Sequence, residues 1–348
     1  MGLQIGLSPL FLAGELEMSK SRKTAAFGLA AAALLVIFLF ASINTGAAQI
    51  GLRGVWDALF AFDPENTMHL LVRDMRLVRA LSGAAVGASL AVAGAMMQGM
   101  TRNPMADSGL MGLSAGAGFA ISLCVSVLGF TRYNLVLLSS FAGALLGAAG
   151  VYAISALVPG SETRVKLVLS GAMLSTFLSA LSQAIAIQSG KSQSLMFWTL
   201  GNLSGISWGQ FLAALPFLAA GVLLSLLLSP RVTILSLTDE VAAGLGVRVG
   251  AVKALGTLAV VLMAGTSFVL AGNITFVGLL TAHFCRFLAG PDYRRVIPLS
   301  ALFGGVLVVL ADTLAKGIAP PVEYPVGALI SLIGVPVFLY YARRKAGK

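Results

Sequence analysis

The chain has 348 residues, 58% hydrophobic and 10% charged, with 23 Lys/Arg against 13 Asp/Glu and a formal net charge of +10. The few charges gather in short seams, and residues 25–43, 80–101, 108–130, 134–160, 194–230 and 254–285 contain none. A charge at the bilayer centre costs about 2.5–3.5 kcal/mol, so a lipid solvent selects such windows, which excludes a soluble domain and gives the basic excess a membrane rather than a nucleic-acid meaning.

In chain order, residues 1–17 are mildly apolar with two acids and lack a basic n-region, which makes a poor signal peptide. Met18-Ser-Lys-Ser-Arg-Lys ahead of an apolar run reads as an inner-membrane start, so residues 1–24 are expected to form a cytoplasmic tail. Ten spans follow, at 25–44, 80–100, 108–129, 134–158, 166–188, 208–228, 253–271, 274–289, 297–315 and 325–342. The expected fold is an all-α polytopic membrane protein, one transmembrane domain over 25–342 with a cytoplasmic C-terminal tail at 343–348. The eighth span is too short for an upright crossing, as half-spans beside a pathway are. Sixteen basic residues fall on the side of both termini. Seven (Arg53, Arg73, Arg76, Arg79, Arg132, Lys191 and Lys316) fall on the other, so the termini are cytoplasmic. Gly83/Gly87, Gly112/Gly116 and Gly143/Gly147 recur at four-residue spacing, the pattern that lets helix backbones approach in lipid. Arg79-Ala-Leu-Ser opens span two and Lys253-Ala-Leu-Gly opens span seven from the opposite side, an echo expected of an inverted repeat of spans 2–5 and 7–10.

No catalytic constellation emerges. Gly190-Lys191-Ser192 ends like a phosphate-binding loop, but Ile185 stands where the first glycine belongs, so the chain is not expected to bind ATP or any cofactor itself. His69 and His283 lie on opposite sides, as do Cys124 and Cys285, so neither a metal site nor a disulfide framework is expected. Asp312 is the acid well inside an apolar stretch, and a helix-end role suits it better than a proton relay. An ion-coupled secondary transporter working alone would need more such groups in mid-span.

Several ordered blocks are more specific. Arg76-Leu-Val-Arg79-Ala-Leu precedes Gly87-Ala-Ser-Leu-Ala-Val-Ala-Gly94-Ala-Met-Met-Gln98, Arg102-Asn103-Pro104-Met-Ala106 and Gly112-Leu-Ser-Ala-Gly116. Phe197-Trp198-Thr-Leu-Gly201, Asp239-Glu240-Val-Ala-Ala-Gly244-Leu-Gly246 and Gly272-Asn-Ile-Thr-Phe276-Val-Gly278 follow, then Leu310-Ala-Asp312 and Glu323-Tyr-Pro325-Val-Gly327. The set resembles the FecCD family, the permease subunits of ABC importers for iron–siderophores, haem and cobalamin, from about residue 25 to the C-terminus.

The resemblance implies an inner-membrane permease that pairs with a second, identical or related permease around a central pathway. A separate cytoplasmic ATPase dimer carries ATP and Mg, and an extracytoplasmic substrate-binding protein docks outside. It implies that Arg76, Arg79 and Lys316 pair with acids of the binding protein, and that Asp239, Glu240, Ala242, Gly244, Leu245 and Gly246 form the coupling helix for the ATPase. Met96, Met97, Gln98, Met100 and Asn103, near the inner end of span two, are candidate pathway or gate residues. The motif pattern favours an iron(III)-siderophore cargo, with haem or cobalamin as the alternative. The family's Gly-Pro-Ile before span eight is Gly272-Asn273-Ile274 here, and its Pro-His is Ala282-His283. The lost prolines restore backbone donors and would allow a straighter eighth helix.

Overall fold

A lipid solvent offers backbone N–H and C=O groups no partner but each other, and this chain answers with helices. The computed structural model describes residues 8–48, 50–109, 112–158 and 163–346. The ends of the two expected tails, residues 1–7 and 347–348, lie outside the described residues. The helices are α1 (Ser8–Asn44), α2 (Leu52–Phe60), α3 (Thr67–Leu70), α4 (Val78–Thr101), α5 (Leu113–Ser122), α6 (Tyr133–Leu157) and α7 (Thr163–Gln188). They continue with α8 (Ser192–Leu200), α9 (Trp208–Leu235), α10 (Asp239–Gly244), α11 (Val249–Ala271), α12 (Val277–Ala289), α13 (Tyr293–Gly317) and α14 (Val326–Ala346). A π-helical stretch, Leu71–Leu77, joins α3 to α4, and another, Leu123–Val127, extends α5.

Among the described residues seven helices are long and apolar enough to cross a membrane, and three shorter apolar ones (Leu113–Val127, Val277–Ala289 and Val326–Val337) complete the expected ten. Span two differs most from expectation. It is continuous from Thr67 to Thr101, because the polar seam before residue 80 carries on as helix with Asn66 capping the Met68 N–H. Residues 8–24, expected as a tail, are the first turns of α1. Local chemistry sets other ends. Ser207 and Gln210 form a reciprocal capping box at α9, while the side chains of Thr238 and Asp292 cap α10 and α13.

Helix α4 is the axis of the bundle, touching α9, α11, α12 and α13. The apolar part of its span is 78% buried, against 11% for α7, which lies at the periphery. Glycines set the spacing. A Cβ on Gly87 would lie 2.2 Å from the Gly304 carbonyl oxygen, and one on Gly94 would lie 2.3 Å from the Gly278 Cα. The Gly112/Gly116 pair of α5 faces the Gly143/Gly147 pair of α6, each meeting the other's backbone, so two of the three sequence pairs form one reciprocal contact. Gly83 instead faces the Leu203 side chain.

The repeat is visible in the pairing. Spans α4–α7 and α11–α14 exchange partners, α4 resting on α12 and α13 while α11 rests on α5 and α6. Both short spans are entered through a left-handed residue, Gly112 (φ 78°) before α5 and Phe276 (φ 68°) before α12. The eighth span remains short despite its missing prolines. Its 13 residues cover about 20 Å, less than the hydrocarbon thickness. Since Gly278 lies against Gly94, α12 begins inside the bilayer, about 10 Å from the inner end of α4.

Gly87→Leu should cost at least about 1–3 kcal/mol through overpacking, because the obstructing atom is backbone and cannot swing away. Gly250→Ala, which meets nothing within 4 Å, should be near neutral. Thermal unfolding of the two purified variants in detergent compares them directly.

Candidate functional site

The motif blocks of the sequence converge at two places. At the first, Gly201, Asn273 and Gly327 meet backbone to backbone: Asn273 N–H donates to the Trp198 carbonyl at 2.7 Å, and Gly327 N–H donates to the Gly201 carbonyl at 3.2 Å. A Cβ on Gly201 would sit 2.5 Å from the Asn273 oxygen, so the knot admits no side chain there.

The second is ionic. Asp312, 1% exposed, receives Arg79 on one carboxylate oxygen (Nη2 at 2.9 Å, Nε at 3.0 Å) and Lys316 Nζ on the other at 2.9 Å. Arg79 Nη1 also reaches both oxygens of the half-exposed Glu323 at 2.9 Å, and Lys316 donates to the Ser42 carbonyl and hydroxyl. Two cations and two anions balance. Arg76 turns away and donates to the Ile43, Asn44 and Ala48 carbonyls, capping the end of α1 where the helix dipole favours a cation.

At the other end of the bundle, beside Arg102, α10 is a six-residue helix anchored by Ala242, which is fully buried. Gly246, at φ 78°, ends it in a Schellman turn, its N–H donating to the Ala243 carbonyl and that of Val247 to Ala242. Leu237, Val241 and Leu245, spaced four apart, stand exposed at 61%, 44% and 64%. The Glu240 backbone N–H and the Thr238 hydroxyl hold the exposed Glu240 carboxylate below its ordinary pKa, so it is ionised at neutral pH. Asp239 points inward, to Lys253 Nζ at 2.7 Å and Arg102 Nη2 at 3.4 Å. Arg102 ends α4 in the left-handed region (φ 53°), which costs a non-glycine residue about 1–2 kcal/mol.

A buried acid that the sequence did not flag lies between these sites. Asp107 is 5% exposed, and its carboxylate packs against the start of α12, where a Cβ on Gly278 would sit 2.6 Å from Asp107 Oδ1. The loop after α4 thus turns back into the bundle to meet the start of α12.

With the geometry in place, known proteins supply the family. The FecCD transport family model matches residues 34–344. This chain belongs to the FecCD transport family. The iron(3+)-hydroxamate import system permease protein FhuB of Bacillus subtilis (strain 168) is 46% identical over 91% of this chain and 83% of its own length. The iron-uptake system permease protein FeuB of the same organism is 38% identical over 90% and 94%. A solved structure of an inward-facing metal-chelate type ABC transporter superposes with a TM-score of 0.77 at 25% identity, covering 92% of this chain and 99% of that one. The FecCD chain is a multi-pass transport subunit rather than an enzyme.

Within this FecCD permease, the residues expected to face outward do not present free charge. Arg76, Arg79 and Lys316 are 8%, 8% and 5% exposed and already satisfied internally, because helix-end cations in lipid must find partners at their own depth. The expected gate residues Met96, Met97, Gln98 and Met100 are likewise buried, with Met96 and Met100 reaching Gly256 of α11. They fill the core between α4 and α11, the ordinary use of a flexible thioether. Asn103 is half-buried and shapes the turn after α4, its side chain accepting the Met105 N–H and its carbonyl the Ala106 N–H. The expected coupling residues do come together: Asp239 to Gly244 form α10, and Leu245 and Gly246 form its stop.

Asp312→Ala would leave Arg79 and Lys316 buried with one shared counter-ion fewer, and should destabilise the permease by about 3–5 kcal/mol. Glu323→Gln, at the exposed edge, should cost about 1 kcal/mol or less. Unfolding midpoints of the two variants in matched detergent separate the buried charge from the peripheral one.

Proposed function

We propose that this chain is the membrane subunit of an ATP-driven importer of iron(III)-siderophore complexes in a bacterial cytoplasmic membrane. The observation that carries the cargo reading is the 46% identity, over nine-tenths of the chain, to a permease named for iron(3+)-hydroxamate import. The reading includes a second permease copy or a related chain, and two apolar faces that this chain leaves uncovered would suit it. Met173, Phe177 and Leu181 of α7 and Leu332, Ile333 and Leu339 of α14 are exposed, and the pathway would run along the seam those helices make.

The energy source acts from the cytoplasm, on the side with the basic excess and both termini. The stripe Leu237/Val241/Leu245 with ionised Glu240 is a compact docking surface for a separate ATPase chain, which would hold ATP and Mg. Outside, a substrate-binding protein delivers cargo. Arg79 offers it a ready exchange, since its partner Glu323 is 39% exposed and an acid of the binding protein could take that place. Exposed pairs of this kind steer and align more than they bind.

Proteoliposomes holding this permease, its ATPase and its binding protein should take up a ferric hydroxamate, in preference to ferric citrate, haem or cobalamin, only with ATP and binding protein present. Uptake that follows an ion gradient without ATP would overturn the reading. Glu240→Arg should leave hydrolysis running while uptake per ATP falls roughly tenfold, a coupling loss of about 1.4 kcal/mol. Parallel phosphate-release and uptake assays measure both quantities.

A further inference from the structure

We propose that the ion pair between Arg102 and Asp239 is the linkage through which α10 moves the inner end of α4 and the start of α12, an inference that rests on α10 being the ATPase contact. Asp239 is the first residue of α10, yet it faces the bundle rather than the stripe that Leu237, Val241 and Leu245 present outward. One of its oxygens holds Lys253 of α11 at 2.7 Å and the other faces Arg102 Nη2 at 3.4 Å. A six-residue helix is thus tied to two different spans through one carboxylate.

The path beyond Arg102 is short. Arg102 is where α4 stops, its backbone left-handed at φ 53°. Asn103 closes the following turn on Met105 and Ala106. Asp107 comes next, its buried carboxylate packed against Gly278 at the entry of α12. Gly278, the second residue of that helix, lies against Asp107 and against Gly94 and Leu90 of α4. A displacement of α10 therefore reaches the short span α12 through an ion pair, one turn of chain and one close packing contact. The Arg102 and Asp239 side chains are 29% and 36% exposed, so their pair adds little to stability and its charges remain free to shift. Arg102 acts here as a positioning residue.

The test uses the assembled transporter in proteoliposomes with its ATPase and binding protein. Arg102→Gln should retain ATPase assembly and hydrolysis while uptake per ATP hydrolysed falls roughly tenfold, and Arg102→Lys should recover most of that loss. Normal uptake per ATP in Arg102→Gln, or an equal loss in both variants, would overturn the proposal, the latter because backbone strain at residue 102 would explain it. Should Arg102→Gln fail to accumulate, Asp239→Asn removes the same pair from the other side and is expected to show the same uncoupling; normal coupling there overturns the linkage. Glu240→Arg separates the two levels. If it uncouples transport while Arg102→Gln does not, only the linkage fails; if it leaves coupling untouched, the reading of α10 as the ATPase contact fails with it.

Discussion

The contacts on which this fold depends are made by backbone against backbone along α4. Helices in lipid gain no hydrophobic free energy by meeting each other, so dispersion and close approach must hold them, and only glycine permits the approach at Gly87/Gly304 and Gly94/Gly278. The first fixes α13 against α4; the second fixes α12 and sets the depth at which it begins. From that seating follow the half-span, the loop that turns inward to meet it and the burial of Asp107 between them.

The two ends of the axis use charge in opposite ways. At the outer end Arg79, Asp312 and Lys316 are withdrawn from solvent, where a weak dielectric response makes an unpaired ion costly and each member fixes the others. That cluster ties α1, α4, α13 and the segment before α14 into one body. At the inner end Arg102, Asp239 and Lys253 keep access to water, which weakens their attraction and allows them to move. The first kind of site fixes a frame and the second leaves its end free to shift.

Much of this was legible in the amino-acid sequence, and the limits have physical reasons. Long apolar runs, most of them free of charge, located the spans, because lipid penalises any charge at depth. The same rule truncated span two, whose outer turns carry His69, Arg73, Asp74, Arg76 and Arg79 and are helical all the same. Basic residues at helix ends do not say where their side chains point: Arg76 and Arg79 turn inward to carbonyls and an acid far away in sequence, and Lys316 pairs with Asp312 one turn earlier and with Ser42 of α1. Met96 to Met100 looked adaptable enough for a gate, but nothing local says that Gly256 leaves space for them in the core. Asp107 escaped notice because it sits in a seam, where an acid is unremarkable until the chain folds back. The α10 segment was readable because its signals are local: a capping threonine, acids in the first turn and a glycine at the stop.

Cross-linking at α10 tests the central claim, that this FecCD permease is driven by a separate ATPase seated on that helix, most directly. A photoreactive residue in place of Leu245, exposed at the end of the stripe, should give one dominant product of permease plus ATPase in membranes expressing the whole transporter, with a yield that changes on adding ATP. A Leu245 probe that labels only lipid or the permease itself, with or without ATP, would contradict it.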